Sequence, residues 1–181
     1  MFQMAERTMS DGITIRAVAA FGAREIRELG DVLIDCVDGG ASVGFMAPMT
    51  RAKADALWHS VAQGAARGDR VVIVAEDGDG AIVGTVQVVL AQPENQPHRG
   101  DIAKMLVHRR GRCRGIGALL LDAAERAAAA AGKTLLVLDT ASGEAERLYV
   151  RAGWQRCGEI PGYALLPDGA PCATVVYWRA L

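Results

Sequence analysis

Residues Asp101 to Leu121 read DIAKMLVHRRGRCRGIGALLL. Asp101 to Val107 reads as a strand. A turn crowded with arginine and glycine follows, holding Arg109, Arg110, Arg112 and Arg114. Gly115 then opens an alanine- and leucine-rich helix that runs to Ala131, with Gly132 in the position of a C′ cap. In such a strand, glycine turn and helix N-terminus, free backbone N–H groups and the helix dipole converge on one point, which makes an anion site. The arginines add local positive charge in a chain whose formal net charge is only -1. A diphosphate is the natural guest.

Two familiar phosphate motifs do not account for the stretch. Gly-x-x-x-x-Gly-Lys-Ser/Thr is absent. A dinucleotide fingerprint needs a third glycine after Gly115 and Gly117, where Leu120 stands instead. Asp139 lies at the distance of a ribose-binding acid, yet a dinucleotide domain opens with its motif strand, whereas here two helices and a hairpin come first.

Outward from the motif, Thr134 to Leu138 is an apolar strand of the kind buried on both faces, and Ser142 begins a short helix ending near Ala152-Gly153. Trp154 to Ile160 and Ala173 to Arg179 read as two last strands joined by a loop over 161–171, and the final strand offers an edge for pairing between subunits. Upstream, β-branched runs at Arg70 to Ala75 and Ala81 to Leu90 flank Asp77-Gly78-Asp79-Gly80 and predict a hairpin. Apolar spacing at Ile26, Leu29, Leu33 and Val37 predicts a helix over 21–37, and Thr50 caps a second helix reaching about Arg67. Ile13 to Val18 is a first strand. The stretch 39–48, GGASVGFMAP, is a loop whose Phe45 and Met46 are apolar, as lining residues of a pocket often are. The expected architecture is α/β: a mixed central sheet of about seven strands flanked by about four helices. It forms one domain over residues 11–181, preceded by a flexible tail over 1–10.

With 20 basic and 21 acidic residues, no global field favours nucleic acid. No run approaches the ~20 apolar residues of a membrane span, and the first dozen residues lack a secretory core. Cys36, Cys113, Cys157 and Cys172 are scattered without disulfide or zinc spacing, which suits a reducing compartment and points to the cytoplasm. No metal site is expected among the histidines and cysteines.

Arg112-Cys113-Arg114-Gly115-Ile116-Gly117 resembles the Arg/Gln-x-x-Gly-x-Gly/Ala motif by which the GNAT superfamily of N-acetyltransferases holds the pyrophosphate of coenzyme A. Leu106-Val107 stand before it as the pantetheine-binding strand does there. Glu146 to Trp154, ERLYVRAGW, resembles the family's Leu-Tyr-x-x-x-Gly-Phe signature. The resemblance spans nearly the whole chain. Gly39 to Met46, Leu138-Asp139-Thr140, Gly158 to Tyr163 and Pro167-Asp168-Gly169 also look like stretches of tabtoxin-resistance-type acetyltransferases. Cys113 stands where such motifs often have glycine, and Ser142 where many members have asparagine. Neither change removes a backbone donor.

The resemblance implies acetyl-CoA as cosubstrate, with Met105, Leu106, Val107, Arg112, Cys113, Arg114, Gly115, Ile116, Gly117 and Ser142 on the cofactor side. Tyr149 is the candidate acid for the departing thiolate, or else a helix tyrosine packed on the core. Asp139, at a strand end, is the candidate base or ammonium partner, or else a cap beside Thr140. Asp101 is the second acidic candidate. Phe45, Met46 and Tyr163 are candidate walls of an acceptor pocket. The loops at 39–48 and 161–171 look like lids, which favours a small-molecule amine: amino-acid-like, or an antimetabolite or toxin whose acetylation confers resistance. Acetylation of a protein N-terminus or lysine, and a coenzyme-binding sensor without catalysis, remain the alternatives. A homodimer is compatible with the expected edge.

Overall fold

The two β-branched runs around residues 77–80 pair because their turn is chemically closed. Asp77 Oδ1 accepts the backbone N–H groups of Asp79 and Ala81 at 3.2 and 3.0 Å, and Gly80 supplies the left-handed residue at φ 77°. The computed structural model describes residues 7–8 and 12–181, and builds outward from this hairpin. Its strands are β1 (Arg7–Thr8), β2 (Thr14–Ala17), β3 (Arg70–Glu76), β4 (Ile82–Val89), β5 (Arg99–Val107), β6 (Leu135–Thr140), β7 (Gln155–Leu165) and β8 (Pro171–Ala180). Its helices are α1 (Ala23–Asp38), α2 (Arg51–Ala66), α3 (Ile116–Ala130) and α4 (Gly143–Arg151). One sheet runs β1-β2-β3-β4-β5-β6-β8-β7. All pairings are antiparallel except that of β5 with β6.

Alternation along the strands divides the core in two. Val72, Val74, Ile82 and Leu106 pack against Leu29, Leu33 and Val37 of α1 and Trp58 and Val61 of α2. Ile73, Val86, Val88, Ile102 and Leu136 pack against Ile116, Leu120 and Ala124 of α3. Ile102 and Leu106 are separated by an even number of residues yet face opposite sides. The cause is a bulge: Lys104 and Met105 together oppose Val86, and Lys104 takes φ 48°.

The same strand sets the opening of the sheet. β5 pairs with β6 only at Arg99, Gly100 and Asp101, opposite Leu135, Leu136 and Val137. β6 continues beside β8 as far as Thr140, so β5 and β6 part beyond Asp101 and leave a V between them.

The structure corrects three expectations of local shape. The motif strand begins at Arg99, so Asp101 does not open it. The expected loop over 161–171 is mostly hairpin: β7 reaches Leu165, β8 starts at Pro171, and the turn is closed by Leu166 N–H on the Ala170 carbonyl at 2.8 Å. A register shift between Ile160 and Ala164, with Gly162 at φ 63°, absorbs the irregular sequence that disguised this strand. The final strand is not an edge, because β8 lies between β6 and β7 and the exposed edge is β7. Of the expected tail, Arg7–Thr8 pairs with β2, and residues 1–6 and 9–10 lie outside the described residues.

Candidate active site

The loop between β5 and α3 is curled by two left-handed residues, Cys113 at φ 60° and Gly115 at φ 73°. The first explains why glycine is common at that position in related motifs, since a side chain there is strained. Gly115 is the N-cap of α3 and offers no side-chain acceptor to the first-turn N–H groups of the helix. Gly117 is tightly placed: a Cβ there would stand 3.2 Å from Leu148 Cδ2 of α4. Between β5 and this loop, a 3-10 turn over Arg109–Gly111 is held by Asp35 of α1. Asp35 accepts from the backbone N–H and from Nε of Arg109, both at 2.8 Å. Burial raises the Asp35 carboxyl, but the Arg109 N–H and guanidinium outweigh it and hold the group below its ordinary value.

This pairing thins the expected field of arginines. Arg109 is matched by Asp35, while Arg110 lies 3.9 Å from Asp77 and reaches the Ile82 carbonyl at 3.4 Å. Arg112 turns back, Nε donating to the Val107 carbonyl at 3.4 Å. The anion-binding capacity therefore lies mainly in the backbone of the loop and the α3 terminus. A separate cleft of about 390 Å³ beside α1 is lined by Glu28, Asp31, Asp35 and Asp38 with Arg51, Arg109 and Arg110, a mixture unsuited to a diphosphate.

At the V, Leu106 is buried under α1 and α2, whereas Met105 and Val107 pack toward α3. Tyr149 comes from α4 on the α3 side. It is 4% exposed, with its ring centroid 5.9 Å from those of Trp154 and Tyr177. Burial, and then the charge of Asp139, push its phenol up to about 12. Asp139 is exposed near the end of β6, its Oδ2 3.1 Å from Thr174 Oγ1 of β8. Alternation from buried Leu138 sends Asp139 to the α1/α2 face.

Asp101 is placed differently. It sits where β5 and β6 are still paired, its carboxylate engaged by Arg99 and by Gln92 Nε2 at 3.0 Å. Ser142 caps α4, its Oγ accepting from Ala145 N–H at 3.4 Å. Phe45 packs against the α1/α2 cluster, while Met46 and Tyr163 are 43% and 58% exposed. The 39–48 loop is tied to the β7–β8 hairpin by Ala47 N–H on the Pro167 carbonyl at 3.0 Å and Ser42 Oγ on the Leu165 carbonyl at 3.3 Å.

Two polar residues at the site escaped the sequence reading. Lys104, at the bulge, donates from Nζ to the Val43 carbonyl at 2.9 Å, and burial lowers its ammonium although Asp139 opposes the shift. Its signal is a lone lysine inside an apolar strand. Asp35 stands in the last turn of α1, where the helix dipole disfavours an acid, and that misfit is the visible hint of a tertiary partner.

Among the described residues, no group of three or more His, Cys, Asp or Glu side chains is placed to hold a metal ion. Among the same residues, no helix is long and apolar enough to cross a membrane.

A mixed sheet thus splays beside a helix N-terminus whose cap residue has no side chain, with a buried phenol on the α3 side of the sheet. Residues 68–156 match the acetyltransferase (GNAT) domain family. An uncharacterized N-acetyltransferase in the hisH-hisA intergenic region of Azospirillum brasilense is 27% identical over 170 residues, covering 93% of this chain and 94% of the relative. The ribosomal-protein-alanine N-acetyltransferase from Brucella melitensis superposes with a TM-score of 0.77 at 20% identity, over 92% of this chain and 99% of that one. A phosphinothricin acetyltransferase from Sinorhizobium meliloti, solved in complex with AcCoA, superposes with a TM-score of 0.77 at 18% identity, over 94% and 89% of the two chains. The chain carries an acetyltransferase (GNAT) domain over residues 68–156.

Proposed function

We propose that the protein transfers the acetyl group of acetyl-CoA to the primary amine of a small molecule, amino-acid-like or an antimetabolite, by direct attack in a ternary complex. The observation that carries this reading is the V between β5 and β6, which lies between the uncapped α3 terminus and the Asp139 end of β6. The residues present fit the coenzyme. First-turn N–H groups of α3 and the left-handed loop at Cys113 and Gly115 suit a pyrophosphate. The β5 backbone past Asp101 pairs with β4 alone and leaves its other side to an extended pantetheine. Bound there, acetyl-CoA supplies the activated acetyl group.

The chain's own groups divide the remaining work by face. On the α1/α2 side, Asp139 attracts the acceptor's ammonium and accepts its proton directly or through water. Backbone N–H groups near Met105 to Val107 polarise the carbonyl under attack, a contribution often worth ~2.7–4 kcal/mol. On the α3 side, Tyr149 donates to the departing sulfur. With the phenol at about 12, complete transfer to a thiolate of pKa ~8.5 is uphill by a factor of roughly three thousand. Tyr149 therefore acts as a hydrogen-bond donor while the bond breaks. Asp101, engaged with Arg99, holds the start of β5.

The tie between the 39–48 loop and the β7–β8 hairpin supports a small acceptor rather than a protein chain. Four free cysteines support action in the cytoplasm. Acetyl-CoA should raise the melting temperature where NADH and ATP at equal concentration do not, and thiol release should follow addition of free amines. Equal stabilisation by NADH would sink the proposal.

A further inference from the structure

The scheme above leaves a buried group of hydrogen-bond donors on the α1/α2 face of the sheet without a task. Gln87 of β4 is 1% exposed, and its Oε1 accepts from Arg70 Nη1 of β3 at 3.0 Å. Its Nε2, and Nε of Arg70, are buried and have no hydrogen-bond partner among the described residues. Reversing the amide would set two donors against each other, so the orientation follows from the Arg70 contact. Gln87 stands opposite Ala103, next to the bulge that carries Lys104. Lys104 uses one ammonium hydrogen on the Val43 carbonyl, and an ammonium has three. Of the charged groups that act on Lys104, Arg70 is basic and Asp139 acidic, so one positive charge is unmatched.

Buried donors without acceptors are costly, and Lys104 and Arg70, both half-buried, add a charge that lacks a partner. A single negative group with several lone pairs relieves both. A carboxylate fits, because its two oxygens can accept from several N–H donors and its one charge completes the balance. Asp139 lies within electrostatic reach of the same lysine and is free to face an ammonium.

We propose that Lys104, Arg70 and Gln87 bind a carboxylate of the acceptor, so that this enzyme's substrates are amines bearing a carboxylate nearby, as in α-amino acids. The inference rests on the reading of the V as the site of small-amine acetylation. The carboxylate anchors the acceptor, and its amine lies at the Asp139 end. As the N–C bond forms and the C–S bond breaks, the nitrogen loses a proton and the thiolate gains one. The amide product keeps its anchor but no longer carries the ammonium that Asp139 attracts, which favours release.

The test compares kcat/KM for three matched pairs: L-methionine with 3-(methylthio)propylamine, L-norleucine with pentylamine, and L-phenylalanine with phenethylamine. In at least one pair the acid should exceed its amine tenfold or more. Lys104→Met should reduce that acid-to-amine ratio at least tenfold, and Lys104→Arg should restore much of it. Arg70→Gln supplies the same ratio should Lys104→Met fail to fold. Amines accepted as well as their acids in every pair, or a ratio that survives the loss of the cation, would overturn the carboxylate site while leaving small-amine acetylation intact. If none of the six is acetylated, the small-amine reading falls and this inference with it.

Discussion

Replacing Asp35 with asparagine should loosen the loop that leads into the cofactor motif. The carboxylate holds Arg109 through two contacts of 2.8 Å, one from the backbone N–H and one from Nε. An amide has one acceptor oxygen and no charge, so it retains at most one of them, in neutral form. A charge-assisted bond is worth ~1.5–3 kcal/mol and a neutral one ~0.5–1.5, a loss of ~1–2 kcal/mol. The solvent-exposed guanidinium adds nothing to this figure. Removing an acid from the last turn of α1 returns ~0.3–1 kcal/mol through the helix dipole. The net loss of about 1 kcal/mol corresponds to a fall in Tm of ~2–4 °C for a chain of this size. Because the folded-state carboxyl is held below its ordinary value, its contribution is present above the unfolded value of ~3.9 and is lost as pH falls through the folded one. Melting curves at pH 7 should therefore separate wild type from Asp35→Asn, and the separation should narrow as pH falls below the ordinary carboxylate value. The variant should also bind acetyl-CoA several-fold more weakly. An unchanged Tm at pH 7, or a difference undiminished at pH 3, would refute the reasoning.

Tyr149→Phe fills the same buried space without the hydroxyl, so acetyl-CoA affinity should hold while turnover drops by roughly 10²–10³, the cost of losing one transition-state donor. With the phenol at about 12, the wild-type rate should show no ionisation of Tyr149 up to pH 10, and an unchanged turnover would remove its role. Asp139→Asn should raise the acceptor's KM at pH 7 and less so above the amine's own pKa, as read from initial rates between pH 6 and 9. No change in KM or kcat across that range would reduce Asp139 to a partner of Thr174. Cys113→Gly removes a side chain at φ 60°, relieving ~1–2 kcal/mol against the ~0.5–1 kcal/mol entropy of a new glycine. Denaturant midpoints should rise slightly or stay level, and a clear fall would contradict the assigned strain.

The elements and the glycine turn that opens α3 were legible in the sequence because their causes are local. Thr50 and Ser142 cap the helices that follow them, Gly115 and Gly132 bracket α3, and the Asp77 turn closes the β3–β4 hairpin within a few residues. The strands near the chain's end were less legible, since a register shift broke the alternation that marks β7. Tertiary structure alone decided which charges remain for chemistry. Arg109 looked available for phosphate until Asp35, 74 residues away, was brought against it. Asp101 stood second to Asp139 as an acidic candidate, and the parting of β5 from β6 leaves it held by Arg99 while Asp139 lies near the opening. The bulge at Lys104 turned one lysine toward the Val43 carbonyl, 61 residues distant, and beside Arg70 and Asp139. Backbone preferences act over a few bonds and are written along the chain, whereas burial and pairing of charge depend on which distant surfaces the packed sheet brings together.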